Sequence, residues 1–452
     1  MQHFDFVIIG AGSGNTLLTP FFDDKKVAIV ERDTFGGTCL NRGCIPSKMF
    51  VYAADVAEIA RQGPRLGVST RFDSADWRAI RDRVFDRIDP IAAAGEKYRL
   101  SLPNVTVFKD TGRFVGHKQL AVAGEIITGD QFIIAAGSRA RVPIHDGFDS
   151  LPYHTSDTIM RLDELPEHLV IMGGGYIASE MAHIFGSLGS RITIVHRSPT
   201  LLRNQDNDIA MRFTEIYRHR FEVLTSTQVL SAREQRGAIE LEVSVDGDHR
   251  RVRGDCLLVA VGRIPNSDEL GVAATGVTVD SAGFVQTDAQ LRTAADGIWA
   301  LGDITNPAML KHTANNEADL IAHNIEHPHA MKAVDRRFVP NAVFGHPQVA
   351  SVGATEHDLL ARGVPYLVAQ RDYGSTAYGW AMEDTESFCK VLAHPDSRML
   401  LGAHIIGPQA STLIQLLVQG MRFGQTVDEL AREQLYAHPA LTEVVEQALL
   451  DL

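Results

Sequence analysis

The chain has 452 residues, 45% of them hydrophobic, and a formal net charge of −13. At about 150 residues per domain this length suggests roughly three domains, and the acidic balance argues against nucleic acid or an anionic membrane as a partner. Four cysteines, with Cys256 and Cys389 isolated, do not make a disulfide framework, so a reducing, cytoplasmic setting is expected.

Residues 4–9 read as an apolar strand, with no signal peptide before it and no apolar run of membrane-spanning length after it. It leads into Gly10-Ala11-Gly12-Ser13-Gly14-Asn15, a glycine-rich nucleotide fingerprint. In such a turn Gly10 makes the tight bend, Gly12 admits the diphosphate, and the N-terminus of a following helix offsets its charge. Asn15 stands where a third glycine is usual, so Gly14 is expected to absorb the close approach of helix and strand. Residues 27–30 form the next strand, ending at Glu31, whose carboxylate can accept from a ribose diol. Cys39 and Cys44 follow in Gly36-Gly37-Thr38-Cys39-Leu40-Asn41-Arg42-Gly43-Cys44-Ile45-Pro46-Ser47-Lys48. A disulfide closing so short a loop adds little stability, which favours a chemical use for the pair. A helix beginning near Ile45-Pro46 would hold Cys44 in its first turn and favour the thiolate. Two buried structural cysteines are the plain alternative, and no His or Cys stands nearby at zinc-ligand spacing.

The pattern recurs. Residues 169–172 run into Gly173-Gly174-Gly175-Tyr176-Ile177-Ala178, and residues 192–195 end at His196-Arg197. Alternating, turn-punctuated strands follow in each copy, clearest at 239–245 before Asp246-Gly247. Each copy closes on a strand running into glycine, at Gly137 and at Gly262. This duplication predicts an α/β chain with two doubly wound dinucleotide-binding units, each carrying a β-meander insertion. The first boundary is expected within 141–152 and the second near Pro265-Asn266. In the second copy His196 and Arg197 replace the acid, with Arg203 shortly after. An acid repels a 2′-phosphate and a guanidinium pair binds it, so NADPH is expected there rather than NADH. A solvated surface pair is the alternative.

Together these motifs resemble those of the pyridine nucleotide-disulfide oxidoreductases, a flavoprotein family that includes glutathione reductase and dihydrolipoamide dehydrogenase. The segment from Gly37 to Lys48 is similar to the family's redox-active motif. Ala300-Leu301-Gly302-Asp303-Ile304 is similar to its second FAD motif, and His438-Pro439-Ala440-Leu441-Thr442-Glu443 to its C-terminal acid/base motif, so the resemblance covers the whole chain. It implies FAD held by Gly10, Gly12, Ser13, Gly14, Glu31, Thr38, Gly137, Gly302 and Asp303. NADPH would be held by Gly173, Gly175, Tyr176, Ile177, His196, Arg197, Arg203, Gly262 and Arg263. The implied domains are 1–145 and 265–335 for FAD, 146–264 for NADPH, and an α+β dimerisation domain over 336–452.

The resemblance also assigns roles. Cys44 would be the flavin-proximal thiol and Cys39 the interchange thiol; Lys48 would lie beside the flavin, paired with Glu180, and Tyr176 would cover the nicotinamide pocket. His438, oriented by Glu443, would protonate the departing thiolate, and would serve Cys39 of the partner subunit in a homodimer. The plain alternatives are an exposed helix lysine, a surface acid, a packing aromatic and, for Arg263, a surface ion pair. Ala136, where many relatives carry threonine, is expected to lose one polar contact. The absence of a cysteine pair in residues 448–452 counts against large thioredoxin reductases and mercuric reductase. A low-molecular-weight disulfide is therefore the expected substrate, with no metal involved. Residues 12–15, 44–54 and 377–385 are similar to the branch that reduces mycothiol disulfide. Dihydrolipoamide dehydrogenase or glutathione reductase-type activity is the alternative, and a non-catalytic flavin-binding scaffold a third.

Overall fold

The computed structural model describes residues 1–143, 146–148, 151–245 and 247–452. Gln2–Ile9 lies inside a seven-stranded sheet, with Val27–Val30 and then Val105–Phe108 on one side and Glu125–Ile134 on the other. These pairings are parallel, as is that of Ile298–Ala300 with Glu125–Ile134. All of Val27–Val30 is buried, as expected of a parallel strand covered on both faces. The second unit repeats the order, with Glu222–Leu224, Arg191–Val195, His168–Met172 and Cys256–Val259 all parallel.

The two meanders differ. Thr227–Gln235, Ala238–Val245 and Asp248–Gly254 form a separate antiparallel sheet. Gly247 takes φ 94° in the last turn, and Asp246 lies outside the described residues. In the first unit, Gln119–Val122 instead extends the main sheet by pairing onto Glu125–Ile134, and Arg113–Gly116 pairs onto Gln119–Val122 in turn. The N-terminal half of that strand mixes exposed, intermediate and buried residues, so only its apolar end at 132–134 stood out as a buried strand.

A second departure concerns the first glycine turn. The expected α-helix is absent there; the turn leads into a 3₁₀ helix of five residues, Ser13–Leu17, and then a second, Pro20–Phe22. Thr19 is extended (φ −85°, ψ 171°), the conformation a following proline imposes, and this interrupts any helix begun at Ser13. The second turn does open a full helix, Tyr176–Leu188. In the first unit the helix Lys311–Glu326, from far along the chain, packs on Ser13–Leu17 instead.

The chain crosses between the units along two paired strands, Ser138–Ala140 and Arg263–Pro265. The boundary expected within 141–152 falls partly on residues 144, 145, 149 and 150, which lie outside the described residues. The C-terminal part is a five-stranded antiparallel sheet in the order Asn341–Val343, Val349–Gly353, Leu400–Ile406, Phe388–Ala393 and Leu367–Asp372. Ala410–Phe423 and Thr442–Leu450 pack against it over a core that includes Val391, Ile405, Leu417 and Val444. Lys390 of this sheet, its side chain 2% exposed, reaches Asp206 at 2.8 Å and Asp208 at 2.6 Å, and also pairs with Glu356. These bonds fasten the helix Asn207–Arg220 to the C-terminal sheet, and the ammonium sits among carboxylates that would otherwise repel one another. Among the described residues no helix is long and apolar enough to cross a membrane.

Candidate active site

The Gly36-Gly37 turn seats the cysteine pair. Both glycines take positive φ (97° and 65°), and a Cβ on Gly37 would lie 2.8 Å from the Cα of Gly12. The Gly36 N–H donates to the Ala11 carbonyl at 3.0 Å, so the short helix Gly37–Asn41, which carries Cys39, rests on the first glycine turn. Asn41, 4% exposed, fixes the turn by donating to the carbonyls of Phe35 (2.8 Å) and Gly37 (3.0 Å). The next helix, Cys44–Gln62, begins at Cys44 itself, among N–H groups that lack intrahelical partners.

Cys39 and Cys44 are free thiols that hydrogen-bond to each other. That bond, aided by the Lys48 charge and opposed by burial, pulls Cys44 down to about 7. The same bond and burial push Cys39 up, so near neutrality the pair keeps its proton on Cys39 and its charge on Cys44. Lys48 Nζ lies 2.8 and 2.7 Å from the two carboxylate oxygens of Glu180, which is only 3% exposed. Glu180 Oε1 also accepts from the Phe344 N–H at 3.1 Å, and the ammonium sits 4.7 Å over the Phe344 ring. Glu180 is therefore a buried counter-charge and no surface acid.

Both cysteines open on a cavity of about 2290 Å³, shared with Lys48 and Glu180. Gly10, Gly12, Ser13, Glu31, Thr38, Gly137, Gly302 and Asp303 line it, as do Gly173, Gly175, Tyr176, Ile177, His196, Arg197, Arg203, Gly262 and Arg263. Gly14, His438 and Glu443 lie off it. Gly14 has a packing role: an added Cβ would lie 2.6 Å from that of Ala135 and 3.2 Å from Ile8 Cγ2, so it does absorb the close approach that Asn15 cannot.

The lining fits two dinucleotides. Gly10 and Gly173 make matching bends (φ 106° and 134°), where a Cβ would meet the carbonyl oxygens of Ala135 and Ala260 at 2.3 and 2.2 Å. At Gly137, Gly175 and Gly262 a Cβ would meet nothing within 4 Å and would occupy the room a ligand's backbone contacts require. Glu31 accepts from the N–H groups of Ala11 (2.8 Å) and Asp33 (2.9 Å), with lone pairs left for a ribose diol. At the equivalent strand end His196 Nε2 is buried without a hydrogen-bond partner, and burial, then the charge of Arg203, favours the neutral ring. Arg197 and Arg203 are exposed, and neither has a carboxylate partner among the described residues. Tyr176 is 46% exposed at the first position of its helix. Arg263 is already partly engaged: it donates to Ser138 Oγ at 2.8 Å and to the Ser138 carbonyl at 2.7 Å, and Ser138 Oγ donates to Asp303 at 2.7 Å.

Sequence reasoning missed Ser138, and also Glu317, Arg336, Lys311 and Asn315. Glu317 is fully buried, accepts from the Gly302 N–H at 2.7 Å and pairs with Arg336 at 2.8 Å. An acid on the apolar stripe of Ala314, Ala318 and Ile321 was the available signal.

His438 Nδ1 lies 2.7 Å from Glu443 Oε1, while Glu443 Oε2 accepts from the Ala440 N–H at 3.0 Å. The His438 hydrogen bond lowers the Glu443 pKa. The imidazole is 72% exposed and the carboxylate 11%, so the ring is held from within and presented outward. One chain therefore supplies a dithiol on the cavity and an oriented imidazole off it.

The model of the pyridine nucleotide-disulphide oxidoreductase family matches residues 4–318, and that of its dimerisation domain residues 339–449. The chain is 47% identical over 462 residues to mycothione reductase of Mycobacterium tuberculosis (strain ATCC 25618 / H37Rv), covering 100% of both. It is 31% identical over 463 residues to dihydrolipoyl dehydrogenase of Chlamydia muridarum (strain MoPn / Nigg), covering 99% of this chain and 97% of that one. Among solved structures, the Cu(II) complex of the HOCl-induced flavoprotein disulfide reductase RclA from Escherichia coli is similar with a TM-score of 0.88 at 25% identity, covering 100% of each chain.

Proposed function

Because the chain belongs to the pyridine nucleotide-disulphide oxidoreductase family, we propose that it is a homodimeric enzyme that reduces mycothiol disulfide with NADPH. It is an NAD(P)H-dependent flavoprotein disulfide oxidoreductase that uses FAD. The substrate assignment rests on the 47% identity along the full chain to mycothione reductase. Arg197 and Arg203, which have no carboxylate partner among the described residues, support NADPH.

In this reading FAD occupies residues 1–145 and 265–335, NADPH residues 146–264, and residues 336–452 pair with a second copy. The working compartment is the cytoplasm. FAD, held by residues that include Gly10, Gly12 and Glu31, would supply the redox chemistry that links a hydride from NADPH to two-electron reduction of the Cys39–Cys44 disulfide. Lys48, fixed by Glu180, holds positive charge beside Cys44 and favours its thiolate. Cys39 gives its proton to the imidazole of His438 of the partner subunit and attacks one substrate sulfur, breaking the substrate S–S bond and forming a mixed disulfide; the departing thiolate takes that proton back from His438 of the partner subunit. The Cys44 thiolate then attacks the Cys39 sulfur, restoring the disulfide and expelling the second thiolate, which takes a proton from solvent.

A dihydrolipoamide dehydrogenase is the second reading, favoured by the 31% identity to that enzyme and opposed by His196-Arg197 at the ribose position. Both readings are tested by assaying mycothiol disulfide, glutathione disulfide, lipoamide, trypanothione and bis-γ-glutamylcystine with NADPH and with NADH. The expected result is the highest kcat/KM for mycothiol disulfide with NADPH; a higher value for lipoamide with the NAD couple would overturn the assignment.

A further inference from the structure

The first glycine turn lacks the helix that gives its counterpart a positive pole, and the diphosphate assigned to it is anionic. A cation stands near that turn instead. Lys311, the first residue of the helix Lys311–Glu326, lines the cavity and donates from Nζ to Ser13 Oγ at 2.8 Å. The Ser13 hydroxyl in turn donates to Asn315 Oδ1 at 3.0 Å, one turn further along the same helix. On another side Arg99 donates to Asn15, from Nε to Oδ1 and from Nη2 to the carbonyl, both at 2.7 Å, and so fixes the 3₁₀ segment. Lys48, Arg336 and Lys390 all meet carboxylates, whereas Lys311 has none among the described residues. A partly buried ammonium whose hydrogen-bond partner among the described residues is a hydroxyl has lost solvation that an anion would restore.

We propose that Lys311 binds the diphosphate of the dinucleotide held on the first glycine turn, in place of the missing helix N-terminus. The proposal rests on the assignment of FAD to that unit. The ammonium keeps Ser13 as one partner and offers its remaining protons to phosphate oxygens. A rigid turn then presents a full charge where a macrodipole would present a partial one.

The test is FAD affinity, measured on the full-length holoenzyme by the fluorescence of flavin released on dilution, at low and high salt. Lys311→Gln should raise the FAD dissociation constant about tenfold or more, as expected for a lost charge-assisted bond, and should flatten its salt dependence. Lys311→Arg should retain both. NADPH affinity should be unchanged in Lys311→Gln; an equal loss there would mean the whole cavity is disturbed and would overturn the proposal. Glu31→Ala separates the two assumptions. If it weakens FAD and Lys311→Gln does not, the role of Lys311 is refuted with the FAD site intact; if neither does, FAD is not on this unit and both ideas fall.

Discussion

At the scale of residues, the pair divides its labour through one proton. Cys44 sits at a helix start beside Lys48 and is pulled down to about 7, while Cys39 is pushed the other way. Alkylation of the reduced enzyme should therefore rise through about pH 7 as Cys44 ionises; a midpoint near the ordinary thiol value of 9.0 would contradict this. The linkage to stability has a fixed sign. Cys44 taken alone, its folded pKa below the ordinary 9.0, adds stability that is present above that value and lost as the pH falls through about 7, while the raised Cys39 opposes it above 9.0. Cys44→Ser should also abolish the long-wavelength charge-transfer band of the two-electron-reduced flavoenzyme, and Cys39→Ser should keep it. For the coenzyme, neutral replacements of Arg197 and Arg203 remove charge-assisted bonds of about 1.5–3 kcal/mol each to a 2′-phosphate and leave NADH nearly unaffected. An unchanged ratio of kcat/KM for the two coenzymes would refute their role.

At the scale of elements, two packed contacts position the chemistry. The helices Cys44–Gln62 and Tyr176–Leu188 are joined through Lys48 and Glu180. Glu180→Ala would strand a partly buried ammonium and the Phe344 N–H, costing about 3 kcal/mol, the low end for a broken buried pair because the lysine is 33% exposed. Urea unfolding measures it. Gly14→Ala should cost about 1–3 kcal/mol by forcing the turn off Ala135 and Ile8, with a loss of bound FAD. The strands at 27–30, 168–172 and 256–259 were legible because burial on both faces leaves an uninterrupted apolar run. The helix missing after Gly10 was misread because the glycine pattern outweighed the contrary signal of Pro20. Lys48–Glu180 and Lys390–Asp206 join residues far apart in sequence, and no spacing rule exposes such pairs. The first was reached only through family resemblance, and the second not at all.

At the scale of the whole molecule, the proposed function makes a single chain incomplete. His438 is aimed outward by Glu443 and lies off the cavity that holds Cys39 and Cys44. The redox helix also leaves Ile45, Tyr52, Val56 and Ile59 exposed at 43, 70, 55 and 68%. Their spacing of seven, four and three residues keeps them on one face of the helix, and Leu435, close to His438, is fully exposed at 101%. A second copy of the chain would cover such a surface and deliver its imidazole to the dithiol. Either His438→Ala or Cys39→Ser alone should inactivate the enzyme, the former slowing disulfide reduction by about 10²–10⁴-fold while reduction by NADPH stays fast. The decisive measurement is disulfide reduction by heterodimers formed on exchanging His438→Ala with Cys39→Ser subunits. Each would contain one intact site, with Cys39 from one chain and His438 from the other, so activity should return; verified heterodimers as inactive as both parents would contradict the shared-site account.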